Sequence, residues 1–394
     1  MTGFDIVSPA AIAEGRATDE YFDRTEETLD HAGRNPRVVA EVTASQFPTG
    51  SFSVLAGVAD AAALLAGLPV DVDALPEGTA FDGGPVLRIE GRYRAFARYE
   101  TALLGFLSHA SGMATNAMGA RLAAPDTPLY SFGSRHVHPS LGAVVERSAL
   151  LAGFDGFSNV AAGERLGREA SGTMPHALVI CFGRGNQSAA FEAFVEATPP
   201  DTPVVALCDT YDDEVGEVLA AVDALGDDLE SVRIDTTASR RGDFGHILRE
   251  VRWELDARGH DDVDIFVSGG LRPSDLRALR DVADGFGVGS HVSNADPLDF
   301  ALDVVTVEGE PAAKRGKLSG RKAVYRTPDG GHHVGLADRD GPADGEPLLE
   351  PLVRDGEVVR ETDLAVAADR AVADAERVGF GTRAAFDDRD AGEG

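Results

Sequence analysis

The chain has 394 residues, a hydrophobic content of 43%, a formal net charge of −30 and two cysteines, so two or three globular domains with at least one sizeable core are expected. The charge disfavours nucleic acid and acidic membrane surfaces as partners. No window carries the roughly 18 consecutive apolar residues of a membrane span, and the N-terminus lacks a basic region followed by an apolar run, so a cytoplasmic protein is expected.

Cys181 and Cys208 both sit in apolar, strand-like runs, which points to buried structural thiols and away from a disulfide framework. Lysine occurs only at Lys314, Lys317 and Lys322. Together with the charge this suggests a salt-adapted cytosol, where a Debye length of about 3 Å at molar salt screens self-repulsion. It also leaves the predicted barrel without an amine for Schiff-base chemistry.

In chain order, Ser8 followed by Pro9 reads as a capped helix start, and Thr18 followed by acidic residues opens a second helix to about His31. VVAEVTASQF, a helix over 53–66 and VLRIEG then suggest a small α/β layer. An apolar-striped helix over 99–123 bridges into the next domain, with Leu103, Leu107, Ala110, Ala114, Ala117 and Met118 at three- and four-residue spacings. From Leu129 strands and helices alternate: LYSFGS, helix 139–152, GFSNV, HALVICFG, helix 188–197, VVALCDT and helix 214–225. SVRIDT, helix 244–258, VDIFVSGG, helix 273–283, GFGVGS and LDVVTVEG complete the series. This is the pattern of a β/α barrel, with a doubly wound sheet as the alternative. Beyond residue 311 come short strand signals at KAVYRT and HHVGLA, a helix over 364–378 and a tail expected to be disordered. The domains are therefore 1–123, 124–308 and 309–394.

Polar groups gather at the C-terminal ends of the predicted strands, where barrel active sites lie. The turns FVSGG (266–270) and GFGVGS (285–290) flank one helix and suggest a cradle for the phosphate of a phosphosugar or nucleotide, because glycine lets the backbone approach closely. Its candidates are Ser268, Gly269, Gly270, Gly287 and Gly289; the same glycines could simply end strands or helices. Arg135, His136 and His138 form a basic turn that could hold an anion, pair with surface acids or, with a third ligand, hold a metal. Thr173 and His176 stand before an apolar run, and His176 is the candidate nucleophile or acid/base group. Arg233 and Asp235, two apart on one strand, share a face and could serve one substrate or form a buried pair. Asp209 could hold Mg²⁺ or ribose hydroxyls, while Asp212 reads as a helix cap.

The segments FGSRHVHPS, GFDGFSNVAAG, SGTMPHALV, LCDTYDDE, VRIDTTASRRGDF, EVRWELDARG, IFVSGGL, FGVGSHVSNADPLDFALDVV and KRGKLSGRK, in this order, resemble the nicotinate phosphoribosyltransferase family in its shorter archaeal-type branch. The resemblance implies an irregular, TIM-like β/α barrel, a smaller N-terminal α/β sandwich and a C-terminal segment packing on it. It also implies homodimers in which one subunit's N-terminal region completes the neighbour's site. The implied substrates are nicotinate and phosphoribosyl pyrophosphate, with ATP as co-substrate and Mg²⁺ held mainly by pyrophosphate. Tyr21 would stack on the pyridine ring and Arg135 would hold its carboxylate or the pyrophosphate. His138, Thr173 and Asp209 complete the substrate set, Arg233 and Asp235 flank the ribose, and His176 is the position phosphorylated by ATP. His136 replaces the family's usual second arginine, and YRTPDGGHHVG lacks the cysteines of a zinc cluster. No structural zinc is expected, with His332 and His333 solvated.

Overall fold

The computed structural model describes residues 7–45, 52–200, 202–235, 242–328, 330–337, 342 and 344–379. The tail predicted to be disordered and residues 236–241 of the DTTASRRGDF segment lie outside the described residues. The chain divides into two compact units. Among the described residues the first comprises 7–118, Leu151–Gly153 and 295–379; the second comprises Gly119–Leu150 and Phe154–Asn294.

The first unit opens with α1 (Pro9–Ala13), where the Ser8 hydroxyl accepts a hydrogen bond from the Ala11 N–H at 3.1 Å, and α2 (Glu20–His31). There follow β1 (Arg37–Ala44), β2 (Ser53–Val54), α3 (Val58–Leu65), β3 (Val70–Ala74), β4 (Ala80–Phe81) and β5 (Leu87–Arg92). Residues 53–66, predicted as one helix, divide instead: Ser53 and Val54 pair with β4, and α3 starts only after Gly57. Gly57 sits at φ +85, where an added Cβ would meet the Phe106 carbonyl oxygen at 2.5 Å, so a left-handed glycine turns the chain out of the strand before the helix begins. Along β3 and β5 buried Val70, Val72, Ala74, Leu87, Ile89 and Gly91 alternate with half-exposed charged residues, as expected for strands with one face on a core. That face packs with α3 and with Leu103 and Leu107 of α4 (Glu100–Ala123), whose later residues belong to the second unit.

In the second unit six strands pair parallel: β6 (Leu129–Ser131), β7 (Gly156–Phe157), β8 (Val205–Leu207), β9 (Ser231–Ile234), β10 (Asp264–Val267) and β11 (Gly285–Val288). Their order is β7-β6-β11-β10-β9-β8. Each strand except at one seam lies beside its sequence neighbour, and the last pairs with the first. This is the cyclic order of a barrel; a doubly wound sheet would instead grow in both directions from its middle. The circle is open between β7 and β8, which makes it a half-barrel. Its helices are α5 (Gly142–Leu151), α6 (Val160–Leu166), α7 (His176–Phe182), α8 (Gln187–Ala197), α9 (Glu214–Leu225), α10 (Phe244–Ala257), α11 (Pro273–Leu279) and α12 (Ser290–Ser293).

The run HALVICF, predicted as a strand, is α7. A short continuous apolar run fits either a buried strand or a helix, and Pro175 immediately before it suits a helix start. Only Val179 of α7 is buried, while Ile180, Cys181 and Phe182 are exposed. Cys181 is therefore not the buried thiol expected, whereas Cys208 is.

The chain then returns to the first unit. β12 (Phe300–Val307), predicted to end the barrel series, pairs antiparallel with β1, and β13 (Glu310–Pro311) pairs with β12. β14 (Lys322–Arg326), β15 (His332–Leu336) and β16 (Glu346–Pro347) form a small sheet, and β17 (Glu350–Arg354) and β18 (Glu357–Val358) join β3. The completed antiparallel sheet runs β13-β12-β1-β5-β3-β17-β18, and α13 (Leu364–Arg377) is capped by Asp363. All three lysines lie in ion pairs: Lys314 and Lys317 with Asp303 at 2.8 and 3.0 Å, and Lys322 with Glu41 at 2.7 Å. His333 is exposed, but His332 is not solvated as expected. Its ring is buried, 3.4 Å from Asp82 and edge-on to Phe52, because successive strand residues face opposite ways. Among the described residues no helix is long and apolar enough to cross a membrane.

Candidate active site

The second unit's polar groups meet at the C-terminal ends of its strands. Arg233 lies in β9 with Asp235 just beyond it, and the two-residue repeat sends both side chains to one face. Arg233 is 8% exposed, and its guanidinium is used in three directions. Nε donates to Ser268 Oγ at 3.0 Å, one Nη donates to Thr173 Oγ1 at 2.7 Å, and the other donates to Asp235 Oδ2 at 2.7 Å. Its flat face lies 5.1 Å from the centroid of the Phe132 ring, which follows β6. Burial pulls the Arg233 pKa down, Asp235 and Asp209 push it up, and the nearby Arg135 adds a downward pull. The group stays charged at any ordinary pH.

Asp209, two residues past β8 and 4% exposed, joins this pair to His176. Its Oδ2 accepts from the Asp235 N–H at 2.8 Å, and its Oδ1 lies 3.7 Å from His176 Nε2. His176 begins α7, and its Nδ1 is 3.1 Å from Thr210 Oγ1. Thr173, His176, Asp209, Arg233, Asp235 and Ser268 thus form one connected polar network.

The glycines have different local reasons. Gly269 and Gly270 follow β10 at φ +102 and +70, and a Cβ on Gly269 would lie 2.8 Å from Asp235 Oδ1, so only glycine lets this turn pass over the carboxylate. Gly287 lies inside β11, where a Cβ would come within 2.4 Å of the Phe132 ring. Its bare face is what allows Phe132 to lie across the strand and meet Arg233. Gly289 follows β11, beside the Phe132 carbonyl and the His136 ring.

Arg135 is exposed on a 3₁₀ turn, Ser134–His136. His138 is exposed too, but its Nδ1 accepts from the Ser140 N–H at 3.3 Å and caps the next turn, a structural task within its own loop. Tyr21 belongs to the first unit: it is 57% exposed on α2, with burial and the Glu100 and Asp19 carboxylates pushing its hydroxyl pKa up. Asp213, adjacent to the Asp212 predicted as a cap, is the cap of α9. Among the described residues no group of three or more His, Cys, Asp or Glu side chains is placed to hold a metal ion.

Three participants were not singled out from the sequence. Phe132 shares strand parity with Tyr130. Glu217 and Glu146 are acids on buried helical stripes: Glu217 with Val218, Ala221 and Val222, and Glu146 with Ala149 and Leu150. An acid at a core-facing spacing was the available signal in both cases. Glu146 is fully buried under the Arg135 turn, its nearest polar neighbours being Ser131 and Ser134. Burial pushes its pKa up to about 7, against a smaller downward pull from the two hydroxyls.

The chain that carries this constellation, on the C-terminal face of a parallel half-barrel, matches phosphoribosyltransferase domain models. Residues 19–111 match the model of the quinolinate phosphoribosyl transferase N-terminal domain and residues 113–303 that of its C-terminal domain. A nicotinate phosphoribosyltransferase of Mycobacterium tuberculosis is 33% identical over 90% of this chain and 88% of its own length. A nicotinate-nucleotide pyrophosphorylase structure from Pyrococcus furiosus superposes with a TM-score of 0.91 at 46% identity, covering 96% of this chain and 100% of that one. The human nicotinic acid phosphoribosyltransferase shares the fold, with a TM-score of 0.73 at 22% identity over 92% of this chain and 94% of its own. The chain belongs to the nicotinate phosphoribosyltransferase family of type II phosphoribosyltransferases.

Proposed function

We propose that this chain is a nicotinate phosphoribosyltransferase of NAD salvage. The ring nitrogen of nicotinate forms a bond to the anomeric carbon of phosphoribosyl pyrophosphate. The bond from that carbon to pyrophosphate breaks, and its electron pair leaves with pyrophosphate, giving nicotinate mononucleotide. The observation that carries this reading is the Arg233–Asp235 pair, held by Thr173, Ser268, Phe132 and Asp209. A carboxylate fixed in advance opposes the positive charge that grows at the anomeric carbon and needs no reorganisation when it does so.

In this reading the 5′-phosphate lies on the backbone around Ser268, Gly269, Gly270 and Gly289, and Arg135 faces the nicotinate carboxylate or the pyrophosphate. Tyr21 of a neighbouring subunit stacks on the pyridine ring in a homodimer. Mg²⁺ would be carried in with the pyrophosphate and would offset its charge, since Asp209 and Asp235 are already engaged by the Asp235 N–H and Arg233. His176 takes the γ-phosphoryl group of ATP on a ring nitrogen as ADP leaves. Hydrolysis of that phosphohistidine then favours product, each 1.4 kcal/mol conserved being worth about tenfold in the equilibrium.

The names of the matched domains favour quinolinate as a second reading. A second ring carboxylate calls for a further open cation, and the three donor directions of Arg233 are already taken, which supports nicotinate. The test is product formation from phosphoribosyl pyrophosphate with nicotinate, nicotinamide or quinolinate, each with and without ATP, in multimolar KCl with Mg²⁺. Nicotinate-specific, ATP-stimulated product is expected. Binding of a mononucleotide without turnover of any base would make the chain a nucleotide sensor instead.

A further inference from the structure

Glu217 stands in the first turn of α9, 1% exposed, and turns back toward the loop that precedes its own helix. Its Oε2 accepts from the Thr210 N–H at 2.7 Å, and its Oε1 accepts from the N–H groups of Tyr211 and Asp212 at 2.6 and 3.0 Å. The Gln187 side-chain amide donates to the same oxygen at 3.4 Å and to Asp212 at 3.0 Å. Three consecutive backbone donors thus converge on one carboxylate. Such a concave run of N–H groups ordinarily binds an external anion; here the chain supplies the anion itself, and the loop is locked in place.

One locked residue, Thr210, touches His176, and the residue before it, Asp209, faces the other ring nitrogen. Thr210, held by Oε2, lies 3.1 Å from Nδ1, and Asp209, the preceding residue, lies 3.7 Å from Nε2. The Asp209 carboxylate on the Nε2 side favours the proton there, and the Thr210 hydroxyl, able to donate or accept, then donates to the Nδ1 lone pair and fixes the ring's orientation. Asp213, which caps α9 through the Gly216 N–H at 2.9 Å, touches neither.

We propose that Glu217 is a positioning residue that holds loop 209–212 so that the His176 imidazole keeps one tautomer and one orientation. The role in catalysis rests on the phosphohistidine reading given above; the positioning itself does not. Glutamine at 217 keeps the shape but turns one oxygen into an NH₂ group facing an N–H donor, which the loop can relieve only by moving.

The experiment is histidine-selective ¹³C and ¹⁵N NMR on the full chain in multimolar KCl, with the His176 ring signal identified by its loss in His176→Asn. Wild type, Glu217→Gln, Thr210→Val and Asp213→Ala are compared, alongside the rate of acid-labile ³²P incorporation from γ-labelled ATP. A single tautomer in wild type and in Asp213→Ala, giving way to an averaged ring in Glu217→Gln and Thr210→Val, supports the proposal. Phosphate incorporation in those two variants should then fall by about tenfold or more, because a small misplacement of a reacting group is enough for such a loss. An unchanged His176 ring in Glu217→Gln overturns the proposal, and Glu217→Asp, which draws the carboxylate back from the same three N–H groups, decides it in the same way if Glu217→Gln does not fold. Wild type that keeps one tautomer but takes up no label would defeat the phosphohistidine reading and leave the positioning role supported.

Discussion

Glu146→Gln replaces a fully buried carboxyl group, whose pKa burial pushes from 4.5 to about 7, with an amide of the same shape that does not titrate in this range. Because the folded state holds the proton more tightly than the unfolded chain, the native Glu146 contributes its full stability below about pH 4.5. That contribution falls as pH rises through the folded-state value and levels off above it. The difference between 4.5 and about 7, at 1.36 kcal/mol per pKa unit, amounts to roughly 3 kcal/mol. The amide introduces its own packing and hydrogen-bonding cost, but that cost does not vary with pH. Urea denaturation in multimolar KCl, followed by far-UV circular dichroism at pH 5 and pH 8, therefore isolates the proton. The stability of Glu146→Gln relative to wild type should be about 2 to 3 kcal/mol more favourable at pH 8 than at pH 5, because pH 5 already lies slightly above the unfolded-state value. A relative stability equal at the two pH values would mean that Glu146 ionises like an ordinary surface acid, and the account of its burial would be wrong.

Arg233→Lys removes the planar fork that reaches Thr173, Ser268 and Asp235 together, and kcat/KM should fall by about 100-fold or more, measured by steady-state product formation. Gly269→Ala forces a side chain into a left-handed conformation 2.8 Å from Asp235 Oδ1, so the melting temperature should drop by the equivalent of about 1–3 kcal/mol and KM for phosphoribosyl pyrophosphate should rise. The melting temperature of the wild-type chain should climb from dilute buffer to multimolar KCl as its net charge of −30 is screened. A flat thermal series would sink the salt-adaptation argument.

The alternation of strand and helix signals located five of the six half-barrel strands within a residue or two of LYSF, ALC, VRID, IFV and GFGV, and GFSNV located the sixth. The pairing of strands was less legible, since periodicity reports which face is buried and not which partner covers the edge. LDVVTV reads equally well as a barrel strand or as a partner of β1, and only the register between Val38 and Val307 decides it. ALVICF failed for the related reason that an unbroken apolar run has no period to read. Within the site, the two-residue spacing of Arg233 and Asp235 was enough to put them on one face. Asp209 was visible as an acid past a strand end, but its bond to the Asp235 N–H joins residues from separate strands. For His138 the sequence showed a basic turn but not that one ring nitrogen accepts from its own loop at Ser140.

The antiparallel sheet places β1 between β5 and β12, and those two neighbours come from opposite sides of the half-barrel in sequence. During synthesis β1 and β5 emerge early and must wait, with one edge of β1 uncovered, until the whole of the second unit has left the ribosome and β12 arrives. The half-barrel has no such debt, because all six of its strands lie between Leu129 and Val288, a stretch of which only Leu151–Gly153 belongs to the first unit. A ribosome stalled once Asn294 has cleared the exit tunnel should therefore carry a protease-resistant half-barrel beside an incomplete sheet, and the N-terminal sheet should become resistant only once residues past Val307 have also cleared it.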